Sequence, residues 1–183
     1  ADVPGHVGGA DRLPGPALVE QPQHGLPDDD ERGHRDAAEI GGWIARHPPL
    51  PDLALVSPAV RTTQTFEIVR EALTGAGPAP KVDFVPELYG ADPALLLTAI
   101  RMASVTDPKQ LMLIGHNPGM HELALTLTGS GDEAAKRALA DNLPTSGLAV
   151  FDFATDDWND VSFRRGKLVL FVSPKLLKQA SRG

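Results

Sequence analysis

Cysteine is absent from this chain of 183 residues. Its absence excludes a disulfide framework, a thiol nucleophile and a thiolate metal site, and it gives no information on the redox compartment. Two ligand-binding motifs are also missing. His121 and Glu122 do not form part of an H-E-x-x-H zinc motif, and the chain has no G-x-x-x-x-G-K-S/T phosphate loop. We therefore predict no metal centre and no cofactor, and we exclude a P-loop nucleotide hydrolase.

Basic residues are in deficit and long apolar runs are lacking. Lys and Arg number 17 against 24 Asp and Glu, whereas a surface that holds nucleic acid or an anionic membrane needs clustered basic side chains. The longest apolar runs fall far short of the roughly 20 residues that span a bilayer. Residues 1–26 lack the basic start and continuous apolar stretch of a signal peptide. We predict a cytoplasmic protein with neither nucleic acid nor a membrane as partner.

Hydrophobic residues make up 42% of the chain, which suits one domain with a core. From about Asp28 onward, helical and strand patterns alternate as in β-α-β units. We predict strands at 53–56, 82–85, 111–114, 148–153 and 168–172, and helices near 37–44, 61–73, 93–100, 120–127 and 132–140. The order predicts a three-layer α/β/α domain over residues 1–183, with a mostly parallel central sheet, an antiparallel C-terminal strand and a tail at 174–183.

Two of the predicted strands end and are then followed by one basic side chain. Arg61 follows the strand at 53–56, and His116 follows the strand at 111–114. Ligands of open α/β sheets sit beyond the carboxyl ends of the strands, so both side chains are expected to meet one anion. The helix that opens before Arg61 directs its first N–H groups and its positive dipole end toward the same place. Because arginine suits a two-pronged grip on phosphate oxygens, we predict a phosphate site.

Asn117 begins a tight turn after His116 and is the third candidate for phosphate binding. Each candidate also has a plainer interpretation. An arginine in the first turn of a helix is usually a solvated charge, and a histidine after a glycine is usually packed or hydrogen-bonded. Equivalent positions after two strands of one β-α-β series favour the phosphate site over these alternatives.

Four stretches of the chain match the motifs of one protein family. Residues 57–65 are similar to S-P-x-x-R-x-x-Q-T, and residues 115–118 to G-H-N/x-P. Residues 86–89 resemble an acidic loop before the middle helix, and residues 144–147 a turn before the late strand. Over residues 31–173 the chain thus resembles the histidine phosphatase superfamily, and most of all its small bacterial phosphohistidine phosphatases of SixA type. The resemblance implies the phosphoglycerate-mutase-like fold.

The resemblance also implies a reaction and its residues. A neutral histidine takes the phosphoryl group, and water then hydrolyses the phosphohistidine. By this resemblance Arg61 and His116 are catalytic residues that hold the equatorial phosphate oxygens. Glu87 is a candidate proton donor, although an exposed loop glutamate is its plainer interpretation. The implied substrate is phosphohistidine on a partner protein, or a small phosphate ester, with no metal required.

The family's nucleophile is missing from its expected place. The first family motif is a strand that ends in Arg-His-Gly or Arg-His-Ala, and no Arg-His precedes Glu31 here. The usual separation from Gly33 leads back to Leu13, a leucine in place of the histidine. His24 and His6 are the remaining histidines of this region, but Gly and Pro around them oppose a buried strand. Loop histidines are their plainer interpretation.

Two explanations of this departure remain open. Either residues 1–30 as given do not represent the natural first strand, or the protein has lost its nucleophile and binds phosphate without catalysis. A phosphoglycerate-mutase-type transfer is a weaker alternative, because the chain is short and lacks the long insertions of that branch. We favour the first explanation, since the apolar strands at 53–56 and 111–114 need paired neighbours. It predicts a central parallel strand near residues 11–19, with Leu13 or a neighbour at the nucleophile's position.

Overall fold

Strands and helices alternate along the chain in the predicted order. The computed structural model describes residues 13–14, 17–20 and 27–183, with side chains from residue 31 onward. The strands are β1 Leu13–Pro14, β2 Ala17–Glu20, β3 Leu53–Val56, β4 Lys81–Phe84, β5 Leu111–Gly115, β6 Thr128–Gly131, β7 Leu148–Phe153 and β8 Gly166–Val172. The α-helices are α1 Pro27–Arg46, α2 Val60–Leu73, α3 Pro93–Met102, α4 Gly119–Leu127, α5 Glu133–Asp141 and α6 Pro174–Ala180.

The strands form one sheet in the order β4-β3-β5-β2-β7-β8-β6, with β1 also paired to β7. From β4 to β2 every pair of neighbours is parallel. The direction reverses at β7, which is antiparallel to both β2 and β8. The predicted mostly parallel sheet with an antiparallel strand near the C-terminus is therefore confirmed.

Helices cover both faces of the sheet, which confirms the three-layer architecture. Alternate residues of β3 and β5 point to opposite faces, as the two-residue period of a strand requires. One core contains Ala54, Val56, Met112 and Ile114 from the strands, packed with residues of α1 and α2. The other core contains Leu53, Leu55, Leu111 and Leu113, packed with residues of α3 and α4. Because both faces are buried, these strands are apolar throughout.

Each core packs against one tryptophan. Trp43 of α1 is partly buried against the core on the α1 and α2 side, and its ring stacks on that of His47 with the centroids 3.9 Å apart. Trp158 is fully buried in the core on the α3 and α4 side. Its indole Nε1–H donates to the carbonyl oxygen of Pro108 at 2.8 Å, which satisfies its polar group inside the core.

The predicted central parallel strand exists as β2, which overlaps the end of the expected range 11–19, but the expectation that Leu13 lies at its end was wrong. β2 lies between β5 and β7, with Glu20 opposite Gly115. Leu13 belongs to β1 and pairs with Phe153 at the other end of β7, so it does not occupy the nucleophile's position. β2 ends at Glu20, because the register with β5 and not the distance from Gly33 determines where the strand ends. His24 and His6 lie outside the described residues.

Two elements were not predicted. β6 contains two glycines, which weaken strand patterning, and a Cβ at Gly129 would overlap the carbonyl of Arg164. The segment expected to be a tail contains α6, whose N-cap Ser173 Oγ accepts from the N–H of Leu176 at 3.2 Å. Lys178 Nζ donates to Asp36 of α1 at 3.1 Å and so attaches this helix to the domain. The tail prediction is corrected accordingly.

Asp52 joins the amino ends of three strands. Its carboxylate accepts from the backbone N–H groups of Lys109 at 2.9 Å and Gln110 at 2.8 Å, just before β5. Its own N–H donates to the carbonyl of Gln110 at 3.1 Å, and its carbonyl accepts from the N–H of Lys81 at 3.0 Å. These four hydrogen bonds of Asp52 fix the amino end of β3 against those of β4 and β5.

Asp52→Ala is expected to destabilise the domain by about 1–3 kcal/mol, because two backbone N–H groups lose their charged acceptor. Urea unfolding followed by circular dichroism measures the change. Glu71→Ala is the matched control, since Glu71 is an exposed acidic residue on α2. Equal stabilities of the two variants would show that Asp52 does not hold the three strands together.

Candidate phosphate site at the strand ends

The carboxyl ends of β3 and β5 meet at one edge of the sheet. Val56 is paired with Ile114, and the N–H of the following Ser57 donates to the carbonyl of Ile114 at 3.1 Å. Ser57 is fully buried. Its Oγ lies 2.7 Å from Nε2 of His116, so a hydrogen bond joins residues 59 positions apart in the chain. The two strand ends identified from the sequence therefore come together through Ser57 and His116.

The turn between β3 and α2 is held by a threonine. Thr62 is fully buried, and its hydroxyl lies 2.6 Å from the carbonyl oxygen of Ser57 and 2.8 Å from that of Ala59. Arg61 is half-buried and is the second residue of α2. These bonds fix the backbone on either side of Arg61 relative to Ser57, so the start of α2 has a defined position beside the strand end.

His116 is half-buried, and its burial lowers its pKa below the usual 6.5, because desolvation disfavours the charged ring. The imidazole is therefore neutral at neutral pH. Within the described residues its side-chain hydrogen bond is made by Nε2 with Ser57. The ring of Tyr89 meets the ring of His116 edge-on, with the centroids 5.3 Å apart and the planes at 74°. Tyr89 is 71% exposed, and its ring lies against one side of the His116 ring.

Glu87 and Tyr89 share one short loop. Glu87 lies in a 3-10 helix at Pro86–Leu88, just after β4, and Leu88 is buried beneath it. The Glu87 side chain is exposed and lines a cavity of about 430 Å³ next to α3. Among residues 31–183, the hydrogen bond of the His116 side chain is made with Ser57 and not with Glu87. The structure thus brings Tyr89 to His116 and places Glu87 two residues away on the same loop.

Asn117 has both ends of its side-chain amide engaged by the protein. Its Nδ2 donates to the carbonyl of Leu143 at 2.8 Å, and its Oδ1 accepts from the N–H of His121 at 3.0 Å. These bonds fix the start of α4 and attach it to the segment before the 144–147 turn. Gly119 completes this junction, because a Cβ there would overlap the carbonyl oxygen of Ala91. The backbone at the end of β5 is therefore held from two sides.

Ser146 lies in the turn that precedes β7. β7 starts at Leu148 beside Val19, so the turn sits at the same edge of the sheet as His116. Ser146 has a positive φ of 56° and is fully buried. Its Oγ has no hydrogen-bond partner within the described part of the chain. Four residues of this edge were not predicted from the sequence as site residues: Ser57, Thr62, Tyr89 and Ser146. Ser57 and Tyr89 were missed because their contacts with His116 join distant segments.

The charges and donors at this edge suit an anion. A neutral imidazole can donate from one nitrogen, the guanidinium of Arg61 is always charged, and the first turn of α2 adds its dipole.

Among the described residues, no group of three or more His, Cys, Asp or Glu side chains could hold a metal ion. In that same part of the chain, no helix is long and apolar enough to cross a membrane.

Known proteins resemble this chain in sequence and in fold. No family model matches the chain. An uncharacterized protein of Mycobacterium leprae is 34% identical over 146 residues, which are 79% of this chain and 84% of the relative. A crystal structure from Agrobacterium tumefaciens, provisionally named phosphohistidine phosphatase SixA, matches with a TM-score of 0.66 and 26% identity over 90% of this chain and 99% of that one.

A second solved structure shares the fold at lower identity. It is the protein histidine phosphatase SixA in complex with tungstate, with a TM-score of 0.64 and 19% identity over 88% of this chain and 97% of that one. At this identity the likeness concerns the fold alone.

Sulfate binding is expected to tighten as the pH falls toward the pKa of His116, because a bound anion favours the charged imidazole and so takes up a proton. The gain is at most about tenfold per pH unit for one proton. Titration calorimetry between pH 5 and 8 measures it, and sulfate keeps its charge over that range. His116→Gln should remove the pH dependence. The same slope in both proteins would show that another group takes up the proton.

Without an anion, the lowered pKa has a defined effect on stability. Above pH 6.5 the ring is neutral in both the folded and the unfolded chain, so the stability is at its full value. As the pH falls from 6.5 toward the folded pKa, the unfolded chain binds the proton first and stability is lost. His116→Gln should show a shallower loss over this window in urea unfolding.

Proposed function

Since the chain belongs to the histidine phosphatase superfamily, in its SixA-type branch, we propose that it removes the phosphoryl group from phosphohistidine on a partner protein. The observation that carries this proposal is the 2.7 Å bond between Nε2 of His116 and Oγ of Ser57. It joins the ends of β3 and β5 next to the helix turn that bears Arg61. A phosphoryl group at this edge would meet a guanidinium, an imidazole and the N-terminal turn of α2 together.

The proposed reaction proceeds by two displacements at phosphorus. A neutral imidazole of the enzyme attacks, a P–N bond forms, and the P–N bond to the substrate histidine breaks. Arg61 and His116 hold the equatorial oxygens during this transfer, which depends mainly on positioning and electrostatic stabilisation. Glu87 is the proposed donor of the proton that the leaving imidazole takes. Water then cleaves the enzyme P–N bond and releases phosphate.

Asn117 has a positional role in this proposal. Its side-chain amide is engaged by Leu143 and His121, so its contribution to phosphate binding would come through the backbone amides of the turn that it fixes. The buried hydroxyl of Ser57 has a related role, because it determines which nitrogen of His116 faces the ligand.

The position of the attacking histidine follows from the register of β2. Glu20 ends β2 opposite Gly115, and α1 begins at Pro27. Residues 21–26 connect these two points, and His24 is the histidine among them. We therefore propose His24 as the nucleophile of the active enzyme. The competing function is phosphate binding without catalysis, which is favoured by the absence of an Arg-His pair before Glu31.

Arg61→Ala and His116→Ala are each expected to lower kcat/KM for a phosphohistidine peptide by about 100-fold or more, as loss of one transition-state donor does. Tungstate affinity should fall most for Arg61→Ala, because it loses charge-assisted bonds worth about 1.5–3 kcal/mol each. Arg70→Ala is the matched control, since Arg70 is an exposed arginine of α2 that pairs with Glu67. Thermal unfolding should change little in all three variants. A loss of the thermal transition in parallel with activity would identify Arg61 or His116 as a packing residue.

His24→Ala is expected to abolish hydrolysis while tungstate binding persists, since the nucleophile is lost and the phosphate pocket stays. Rapid-quench labelling with a phosphohistidine peptide and peptide mass mapping would locate the phosphoryl group on the wild-type enzyme. His47→Ala is the control for loss of an exposed histidine. Hydrolysis that survives in His24→Ala would exclude His24. A wild-type protein that binds tungstate and hydrolyses nothing would support the phosphate-binding alternative.

A further inference from the structure

A groove of about 430 Å³ lies between α3 and strands β3 and β4. Three large apolar side chains from α3 and the turn after it line this groove: Leu95, Met102 and Val105. They are 53%, 67% and 90% exposed. Single exposed apolar side chains are common on soluble proteins, but three along one wall of one groove form a patch that indicates binding.

Helix α3 is apolar on two faces. Leu96 and Ile100 are buried in the core beneath the helix, whereas Leu95 and Met102 line the groove. The patch extends from Leu95 in α3 to Val105 in the 3-10 turn after it, ten steps along the chain or at least about 15 Å at the helical rise of roughly 1.5 Å per residue. This length matches about three turns of a bound amphipathic helix, a common way for a groove to hold a peptide segment.

The groove is continuous with the candidate phosphate site through one loop. Glu87 lines the groove, and Tyr89, two residues later, contacts the ring of His116. Leu88 between them is buried and anchors the loop. A protein that binds in the groove could therefore also contact the edge where His116 lies. A small phosphate ester is too short to contact both places.

The charges of the groove favour a basic partner. Asp83 and Glu87 are its charged lining residues, and both are exposed. No lysine, arginine or histidine is found among the described residues that line it. A segment with lysine or arginine beside its apolar residues would complement both the patch and the carboxylates.

We propose that this groove docks an apolar, lysine- or arginine-flanked segment of the phosphorylated substrate protein, and that it thereby selects phosphoproteins over small phosphate esters. This inference rests on the proposed phosphatase function. The partner binds on α3 while its phosphohistidine reaches Arg61 and His116. Docking lowers KM for the protein substrate, and the chemical step at the strand ends stays the same.

Two peptides with the same apolar residues and one phosphohistidine test the proposal, one flanked by lysines and the other by glutamates. The wild type should have at least a tenfold higher kcat/KM for the lysine peptide. Met102→Ser with Val105→Ser should raise its KM about tenfold at nearly constant kcat, and Asp83→Lys should reverse the preference. Hydrolysis of p-nitrophenyl phosphate should be unchanged. Leu176→Ser, at an exposed apolar residue of α6, is the matched control.

Fluorescence anisotropy with the unphosphorylated peptides separates docking from catalysis. Equal affinities for the two peptides, or affinities that the groove variants do not change, would overturn the docking proposal even if hydrolysis is intact. If the wild type binds the lysine peptide preferentially but hydrolyses neither peptide, the phosphatase function is refuted, and the groove remains a peptide-binding site. A wild-type dimer that Met102→Ser with Val105→Ser dissociates would assign the groove to a second copy of the chain and overturn the proposal.

Discussion

The register between β3 and β5 is the constraint on which the site depends. Val56 faces Ile114 across the ladder, and the next residues of both strands then meet as Ser57 and His116. A slip of one residue would turn Ser57 to the other face of the sheet and break that bond. Asp52 holds the same register at the opposite ends of these strands. The chemistry at one edge is thus maintained by a carboxylate five residues before Ser57, about 16–17 Å away at a rise of roughly 3.3 Å per strand residue.

Sequence patterns predict the elements that are buried on both sides or capped by their own residues. The continuously apolar runs in β3 and β5 predict strands that are buried on both faces of a parallel sheet. Asp92 predicts the start of α3, and its Oδ1 accepts from the N–H of Leu95 at 2.9 Å. β2 could be inferred only as a missing neighbour, because its place is fixed by pairing with β5 and not by its own composition. β6 was missed because its two glycines weaken strand patterning. α6 is short and was missed although Ser173 caps it, and Lys178 attaches it to Asp36 of α1.

Arg61 and His116 could be found from the sequence because a strand end is a local signal. Ser57 and Tyr89 could not be assigned to His116 in that way, since each lies far from it along the chain. Asn117 was predicted as a phosphate-binding residue from its place in the turn after His116. In the structure its side-chain amide bonds to Leu143 and His121. A residue type at the right spacing predicts a location, while hydrogen-bond partners determine the role.

The separation of the interior into two cores gives the protein a built-in optical reporter on each face of the sheet. Trp43 and Trp158 are the two tryptophans of the chain, and they pack against different cores. Fluorescence of a Trp43→Phe variant would follow the layer of α3 and α4, and that of Trp158→Phe the layer of α1 and α2. Comparing the two would reveal whether the helical layers separate from the sheet together or in succession.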